Sequence, residues 1–455
     1  MKRREYSKSI VQFSGFFLSK TDSMTLIKKR RTIGQVVVCT RILNLGFYVM
    51  NDCEMKTLVI SVGTGTKPSK QTVDSLAKAL TQSVDRHRPD KVLFVVTRES
   101  EEITLPIILK NIKNYAYEKI RVDNPDNIQQ IYETLHPKIR RIRGESDSMV
   151  IDYTSGTKAM TAALAMLATL YEANELSYIS GKRVNGIVQP GTEQVISIRP
   201  YFATAEQKIK TAIQFFNKAQ YEAATAILTE IQKTIKDPAI LNRTAPLLKL
   251  GKTYALWDKF QHQKAFKILK KIDMPELAKN KRFLGQLVNR LTRNDEPEPY
   301  LIADLICNAE RRGKEQQKFD DAVARLYRTI ELIAQYKLKR QYNINPSKAE
   351  TSKIPKELLE KWSIPKKTET IKLSLERDYE LLKALGDKLG QKYEEDKQLK
   401  NLLSKRNMSI LAHGLEPVNK QTYQQLYTIT LEYAEKAVVN LKQNIENAKF
   451  IKWKN

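Results

Sequence analysis

Cysteine, histidine and acid are scarce in this 455-residue chain, and each shortage excludes something. The three cysteines (Cys39, Cys53 and Cys307) are scattered and odd in number. They form neither a disulfide framework nor a metal-ligand spacing, so no metal is expected and a reducing cytoplasm fits. No apolar run reaches the roughly 20 residues that cross a bilayer, so no membrane insertion is expected. Acids number 51 against 78 Lys and Arg, a net charge of +27. That balance favours polyanionic partners: nucleic acid, an anionic membrane surface or a phosphate-rich ligand. With 41% hydrophobic and 28% charged residues, the chain reads as two or three folded domains.

The first 54 residues stand apart, with ten Lys/Arg and four Asp/Glu ahead of a far clearer pattern beginning at Met55. Their apolar pieces are broken and no small-residue cleavage site follows, which argues against a signal peptide. Residues 1–54 are expected to be a basic extension, not native or disordered. From Lys56, β-branched runs alternate with helical stretches: TLVISVG (57–63), KVLFVVT (91–97), YEKIRVD (117–123) and SMVIDYT (148–154), then LSYISGK (176–182) and TEQVISIRP (192–200). This spacing predicts a doubly wound α/β unit with a parallel sheet over 55–202. Strands then cease. AIQFFNKAQYEAATAILTEI (212–231) and YALWDKFQHQKAFKILKKI (254–272) resemble each other and predict a helical connector of tetratricopeptide type over 203–299. RNDEPEP (293–299) marks a linker into an all-α unit over 300–455. There, residues 320–336 place Val323, Leu326, Tyr327, Ile330, Ile333 and Ala334 on one face. The interval 341–370, with three prolines and many lysines, reads as a loop.

In open α/β sheets, ligands sit at the carboxyl ends of the strands. Those ends carry SVGTGTK (61–67), VTRES (96–100), DYTSGTKAM (152–160) and ISGKRVNG (179–186). Glycine admits a phosphate to the backbone, hydroxyls donate to its oxygens, and a following helix N-terminus adds positive charge. The candidate ligand residues are Gly63, Thr64, Gly65, Thr66, Thr97, Arg98, Thr154, Ser155, Gly156, Thr157, Lys158, Gly181 and Arg183. Such turns also carry Gly, Ser and Thr simply as caps. Four in succession, in so basic a chain, favour an anionic ligand. Neither G-x-x-x-x-G-K-[ST] nor G-x-G-x-x-G occurs, which argues against ATP and NAD.

A second constellation lies in KRNMSILAHG (405–414). Seven helical residues turn the chain by about 700°, so Arg406 and His413 would share a face if the helix lasts that far. Gly414 and Pro417 end it just there. An imidazole can serve as general base or acid, and a guanidinium can clamp a phosphodiester. RNA brings its own nucleophile, the 2′-OH. Asn407 and Ser409 are placed to orient the phosphate. Spacing alone leaves chance, or a histidine complementing a helix C-terminus, as the commoner reading. His87, His136 and His262 stand in polar helix contexts and read as solvated. Arg325, Arg328 and Glu331 read as a charged face that could border RNA, and KFIKWKN (449–455) as a solubilising or RNA-touching tail.

The SVGTGT turn, D-Y-T-S-G-T-K-A-M and GKR-x-x-G resemble the CARF domain, the CRISPR-associated Rossmann-like sensor of cyclic oligoadenylates. R-N-x-x-x-x-x-H in a C-terminal helical domain resembles the R-x(4–6)-H signature of HEPN ribonucleases. Their order is similar to the accessory ribonucleases of type III CRISPR systems, and specifically to the Cas02710 group. The resemblance implies a metal-independent endoribonuclease with catalytic Arg406 and His413, leaving 2′,3′-cyclic phosphate ends on single-stranded RNA. It implies a homodimer, no cofactor, and a cyclic oligoadenylate of four or six units as allosteric activator. Two alternatives stay open: a non-catalytic CARF-type regulator, and an enzyme whose CARF site also degrades its activator.

Overall fold

A computed structural model describes residues 54–65, 69–112, 114–184, 187–189 and 191–454; the expected N-terminal extension lies outside them but for Glu54. The first unit is a six-stranded sheet in the order β3-β2-β1-β4-β5-β8. Its strands are β1 (Lys56–Val62), β2 (Lys91–Val96), β3 (Ala116–Arg121), β4 (Ser148–Asp152) and β5 (Glu175–Ser180), all parallel. A two-stranded hairpin, β6 (Arg183–Val184) and β7 (Ile187–Val188), then leads to β8 (Gln194–Ile198), which returns antiparallel against β5.

The strands alternate because both faces are covered. Val59, Leu93, Val95, Met149 and Ile151 point into one layer beneath α4 (Ile128–Glu145) and α5 (Lys158–Leu170). Leu58, Ile60, Val62, Val92, Phe94 and Val96 fill the other layer, beneath α1 (Lys70–His87), α2 (Arg98–Ile103) and α3 (Leu105–Asn111). Burial on both faces explains why these strands read as unbroken apolar runs. The chain moves outward from β1 to β3, then returns to start β4 on the other side of β1. The crevice at the carboxyl ends of β1 and β4 is therefore the switch point where ligands bind in such sheets.

The connector holds α6 (Tyr201–Asn217), α7 (Tyr221–Thr234), α8 (Pro238–Asp258), α9 (His262–Leu269) and α10 (Ala278–Arg293). The two resembling segments are the corners of consecutive helix hairpins. Ala219 and Phe260 occupy equivalent left-handed positions, each at φ 57°, in the turns after α6 and α8. The final unit contains α11 (Glu298–Glu310), a π-turn Arg311–Glu315, α12 (Phe319–Tyr342), α13 (Lys356–Lys361), α14 (Leu375–Ala384), α15 (Lys388–Glu395), α16 (Lys397–Asn407), α17 (Lys420–Ala437) and α18 (Leu441–Ala448). Of the face expected on α12, Val323, Leu326, Ile330, Ile333 and Ala334 are fully buried and Tyr327 is half-buried at its edge.

Two expectations need correction. The interval 341–370 carries α13, short 3₁₀ turns and a strand, Ala349–Glu350, that pairs antiparallel with Thr370–Ile371. Its prolines start turns instead of dissolving structure; Pro346 and Pro355 each precede a helical turn. The tail after Lys449 is a strap. Phe450 stacks on Tyr254 at 3.9 Å between ring centres and receives the Arg311 guanidinium at 3.8 Å on its ring. Asn217 clamps the Trp453 backbone at both its N–H and its carbonyl, at 2.8 and 2.9 Å. The tail's aromatic residues thus complete the connector core instead of facing solvent.

Candidate functional site

The switch-point crevice is built by the turn Thr154–Lys158. Asp152, fully buried at the end of β4, accepts the Thr154 amide through Oδ1 at 2.8 Å. Its Oδ2 accepts the hydroxyls of Ser83 (2.5 Å) and Ser177 (3.1 Å). His87 Nε2 lies 3.0 Å from Ser177 Oγ. Because that hydroxyl is already donated to Asp152, the imidazole donates through Nε2. Burial lowers the His87 pKa, with Glu175 opposing.

Several candidate ligand side chains are spent on holding the turn. Ser155 Oγ donates to the Ser61 carbonyl (2.8 Å) and accepts the Gly63 amide (2.9 Å). Thr154 Oγ1 accepts the Ile179 amide (2.9 Å). Thr157 caps α5, and Thr97 caps α2 in a capping box with Ser100. Gly63 is glycine because a Cβ would stand 2.8 Å from the Gly156 amide nitrogen; Gly156, at φ +101°, takes a conformation that disfavours side chains. What remains for an anion is backbone. The amides of Thr64, Gly65, Gly156 and Thr157 donate to no described residue, and the last two open onto the N-terminus of α5. Lys158 and Arg98 are exposed beside them, Arg98 next to Glu102 at 3.4 Å. Gly181 follows β5 at the same edge. Thr66 lies outside the described residues.

The second constellation is brought together by a loop, not by one helical face. Helix α16 stops at Asn407, and the chain curls through Met408–Gly414. The His413 amide then donates to the Asn407 carbonyl at 3.1 Å, which returns His413 beside the residue that follows Arg406. Ser409 and Gly414 close the loop through Ser409 N–Arg406 O (3.0 Å) and Gly414 N–Ser409 O (3.3 Å). Gly414 is obligatory because any Cβ would be driven into the Met408 carbonyl. Ser409 is buried with its hydroxyl unpartnered, so it faces the loop interior instead of a phosphate. Asn407 accepts from Arg406 Nη1 at 3.2 Å.

Arg406 has no carboxylate partner among the described residues. Its guanidinium lies over the Tyr327 ring at 4.3 Å, with Nε buried and unpaired. In a chain where most arginines of this domain meet carboxylates, such as Arg325 with Asp321 and Arg328 with Glu331, this cation is left open for another anion. His413 is exposed and its ring makes no hydrogen bond to a described residue. Around them, Met408, Ile410, Leu411 and Leu415 are exposed, Leu415 by 86%.

The other histidines are not solvated. His87 is buried as above. His262, at the start of α9, pairs with buried Asp304 at 2.8 Å, and His136 is half-buried against the Tyr171 hydroxyl at 2.9 Å. Each sits where a helix meets a second element, a position that a single-helix pattern does not reveal. Asp152, Tyr327 and Gly414 were all visible as residue types; their roles come from contacts across elements.

Residues 68–201 match the family model of the Card1 CARF domain, 204–296 that of the Csm6 6H domain and 290–437 that of the Csm6 HEPN domain. The chain belongs with the CRISPR-associated CARF–HEPN ribonucleases. Its fold is similar to Enterococcus italicus Csm6 bound to cyclic hexa-2′-fluoro-hexa-dAMP, at 17% identity, covering 87% of this chain and 99% of that one, with a TM-score of 0.54. Can2 from Sulfobacillus thermosulfidooxidans, in complex with cyclic tetra-adenylate, matches 41% of this chain and 57% of its own at 14% identity, with a TM-score of 0.22. No curated protein matches. The CARF match begins after β1 and does not include the Gly63–Gly65 turn. No described helix of this CARF–HEPN ribonuclease is long and apolar enough to cross a membrane.

Proposed function

We propose that this CARF–HEPN ribonuclease cleaves single-stranded RNA in the cytoplasm when a cyclic oligoadenylate of four or six units occupies the crevice around Thr154–Lys158. The observation that carries the reading is the Arg406 guanidinium without a described carboxylate partner, with His413 tied back by its amide to the carbonyl of the next residue, Asn407. In the proposed chemistry, His413 removes the 2′-OH proton, the 2′-oxygen attacks the adjacent phosphorus, and the 5′-oxygen leaves with a proton from an imidazole. A 2′,3′-cyclic phosphate and a 5′-hydroxyl result, with no metal required. Arg406 balances the charge that builds on the phosphoryl oxygens.

One imidazole cannot be base and acid at the same instant, and the apolar rim of Met408, Ile410, Leu411 and Leu415 gives a second copy a surface to cover. A homodimer with two-fold symmetry sets two such loops face to face and suits a ring-shaped activator. The hexa-adenylate analogue on the Enterococcus italicus protein supports the larger ring as the first to try. The test is a quenched RNA reporter in chelator, with rings of three, four and six adenylates, on wild type and His413→Ala. Activator-dependent cleavage that His413→Ala retains would remove the assignment.

A further inference from the structure

We propose that Tyr327 is a positioning residue for Arg406, its ring face holding the guanidinium in the orientation that receives the RNA phosphate. The inference rests on the nuclease reading above and adds a residue to it.

An arginine side chain has about four rotatable bonds, and an exposed one loses that freedom when it grips a phosphate. Three observations show how this chain limits the loss. The Arg406 guanidinium lies 4.3 Å above the Tyr327 ring centre, within the range of a cation–π contact. Its Nε is buried and makes no hydrogen bond, so the inner edge of the group is enclosed while Nη1 rests on Asn407 at 3.2 Å. No described carboxylate pairs with it, although Glu331, one turn along α12 from Tyr327, is near enough to raise the tyrosine pKa alongside burial. Glu331 instead takes Arg328 at 2.8 Å.

A carboxylate in place of the ring would orient Arg406 equally well but would compete with the phosphate and cancel its charge. An aromatic face orients without neutralising. Tyr327 itself projects from a helix anchored in the core: its neighbours Val323, Leu326 and Ile330 are fully enclosed, so the ring has little room to follow a wandering guanidinium. The contact also fixes α12 to the end of α16, the point from which the His413 loop departs. No hydrogen bond of the Tyr327 hydroxyl to a described residue exists, so the ring face, not the hydroxyl, carries the role.

The experiment uses the full chain in a His413→Ala background, which keeps the RNA whole, with cyclic hexa-adenylate and cyclic tetra-adenylate each present in parallel. RNA affinity is read by fluorescence anisotropy, alongside thermal midpoints. Tyr327→Leu is expected to weaken RNA binding about tenfold and Tyr327→Phe by less than twofold, both with midpoints near the parent. Adding Arg406→Ala should erase the difference, so that Tyr327→Leu costs nothing further once the guanidinium is gone. In the His413-intact protein, Tyr327→Leu should lower kcat, with Tyr327→Phe restoring it. Unchanged affinity in Tyr327→Leu, or the same tenfold loss on top of Arg406→Ala, would overturn the positioning role while the nuclease reading stands. If Arg406→Ala alone leaves both affinity and cleavage intact, the nuclease reading falls and this proposal with it.

Discussion

At the end of β4, the turn Thr154–Lys158 is cross-braced to β1 through Ser155, to β5 through Thr154 and to the Asp152 network beneath it. The loop Met408–Glu416 hydrogen-bonds only within Ser404–Glu416 among the described residues, and it exposes four large apolar side chains. Both turns carry phosphate-handling residue types, yet one is braced by neighbouring elements and the other is closed only on itself. A receptor gains affinity from preorganisation. A nuclease that must stay silent until called gains control from a site that needs a second surface.

The strongest way to break the comparison is His413→Ala. If the loop serves chemistry and not stability, activator-dependent cleavage should fall at least about a thousandfold, roughly 4 kcal/mol of barrier, while the melting temperature is unchanged. Asp152→Ala should do the reverse at the other turn. It strands the Ser83 and Ser177 hydroxyls and the Thr154 amide, and is expected to cost about 3 kcal/mol in chemical denaturation, with ligand binding lost in parallel.

Asp378 sharpens the contrast inside the nuclease domain. Its carboxyl is fully buried, and burial, reinforced by Glu331, pushes it up from 3.8 to about 8. Between those values the folded chain keeps a proton that the unfolded chain has released, so stability falls as pH rises across the interval. Asp378→Asn should therefore raise stability by about 2 kcal/mol at pH 8 and by progressively less towards pH 4, measured as unfolding free energy against pH. The smallest expected effect on stability is Leu415→Asp, within about 0.5 kcal/mol because the side chain is exposed. If the proposed homodimer closes over this loop, sedimentation should nevertheless show weaker self-association; association left undisturbed by the substitution would reject that arrangement.

The alternation of strands and helices was legible because β1, β2 and β4 are buried on both faces and read as unbroken apolar runs between helical stretches; the strand order and the antiparallel return of β8 were not. The paired connector hairpins were legible because Asn217-Lys218-Ala219-Gln220 and Asp258-Lys259-Phe260-Gln261 repeat a turn. The geometry around His413 was not, since seven-residue spacing implies a helix and the actual closure is a backbone hydrogen bond to Asn407. Nor were the buried roles of His87 and His262, whose partners Ser177 and Asp304 are 90 and 42 residues away. The strap escaped because lysines at 449, 452 and 454 mask the aromatic residues between them.

That strap sets an order on how the chain can be made. Ile451 meets the Tyr254 hydroxyl across 197 residues. At ribosomal speeds of roughly 5–20 residues per second, the connector emerges about ten to forty seconds before Phe450 arrives to cover it. Through that interval Tyr254 lacks its stacking partner and remains open to chaperones or to a neighbouring nascent chain. The seam between connector and nuclease closes only after the Arg406–His413 loop has been synthesised.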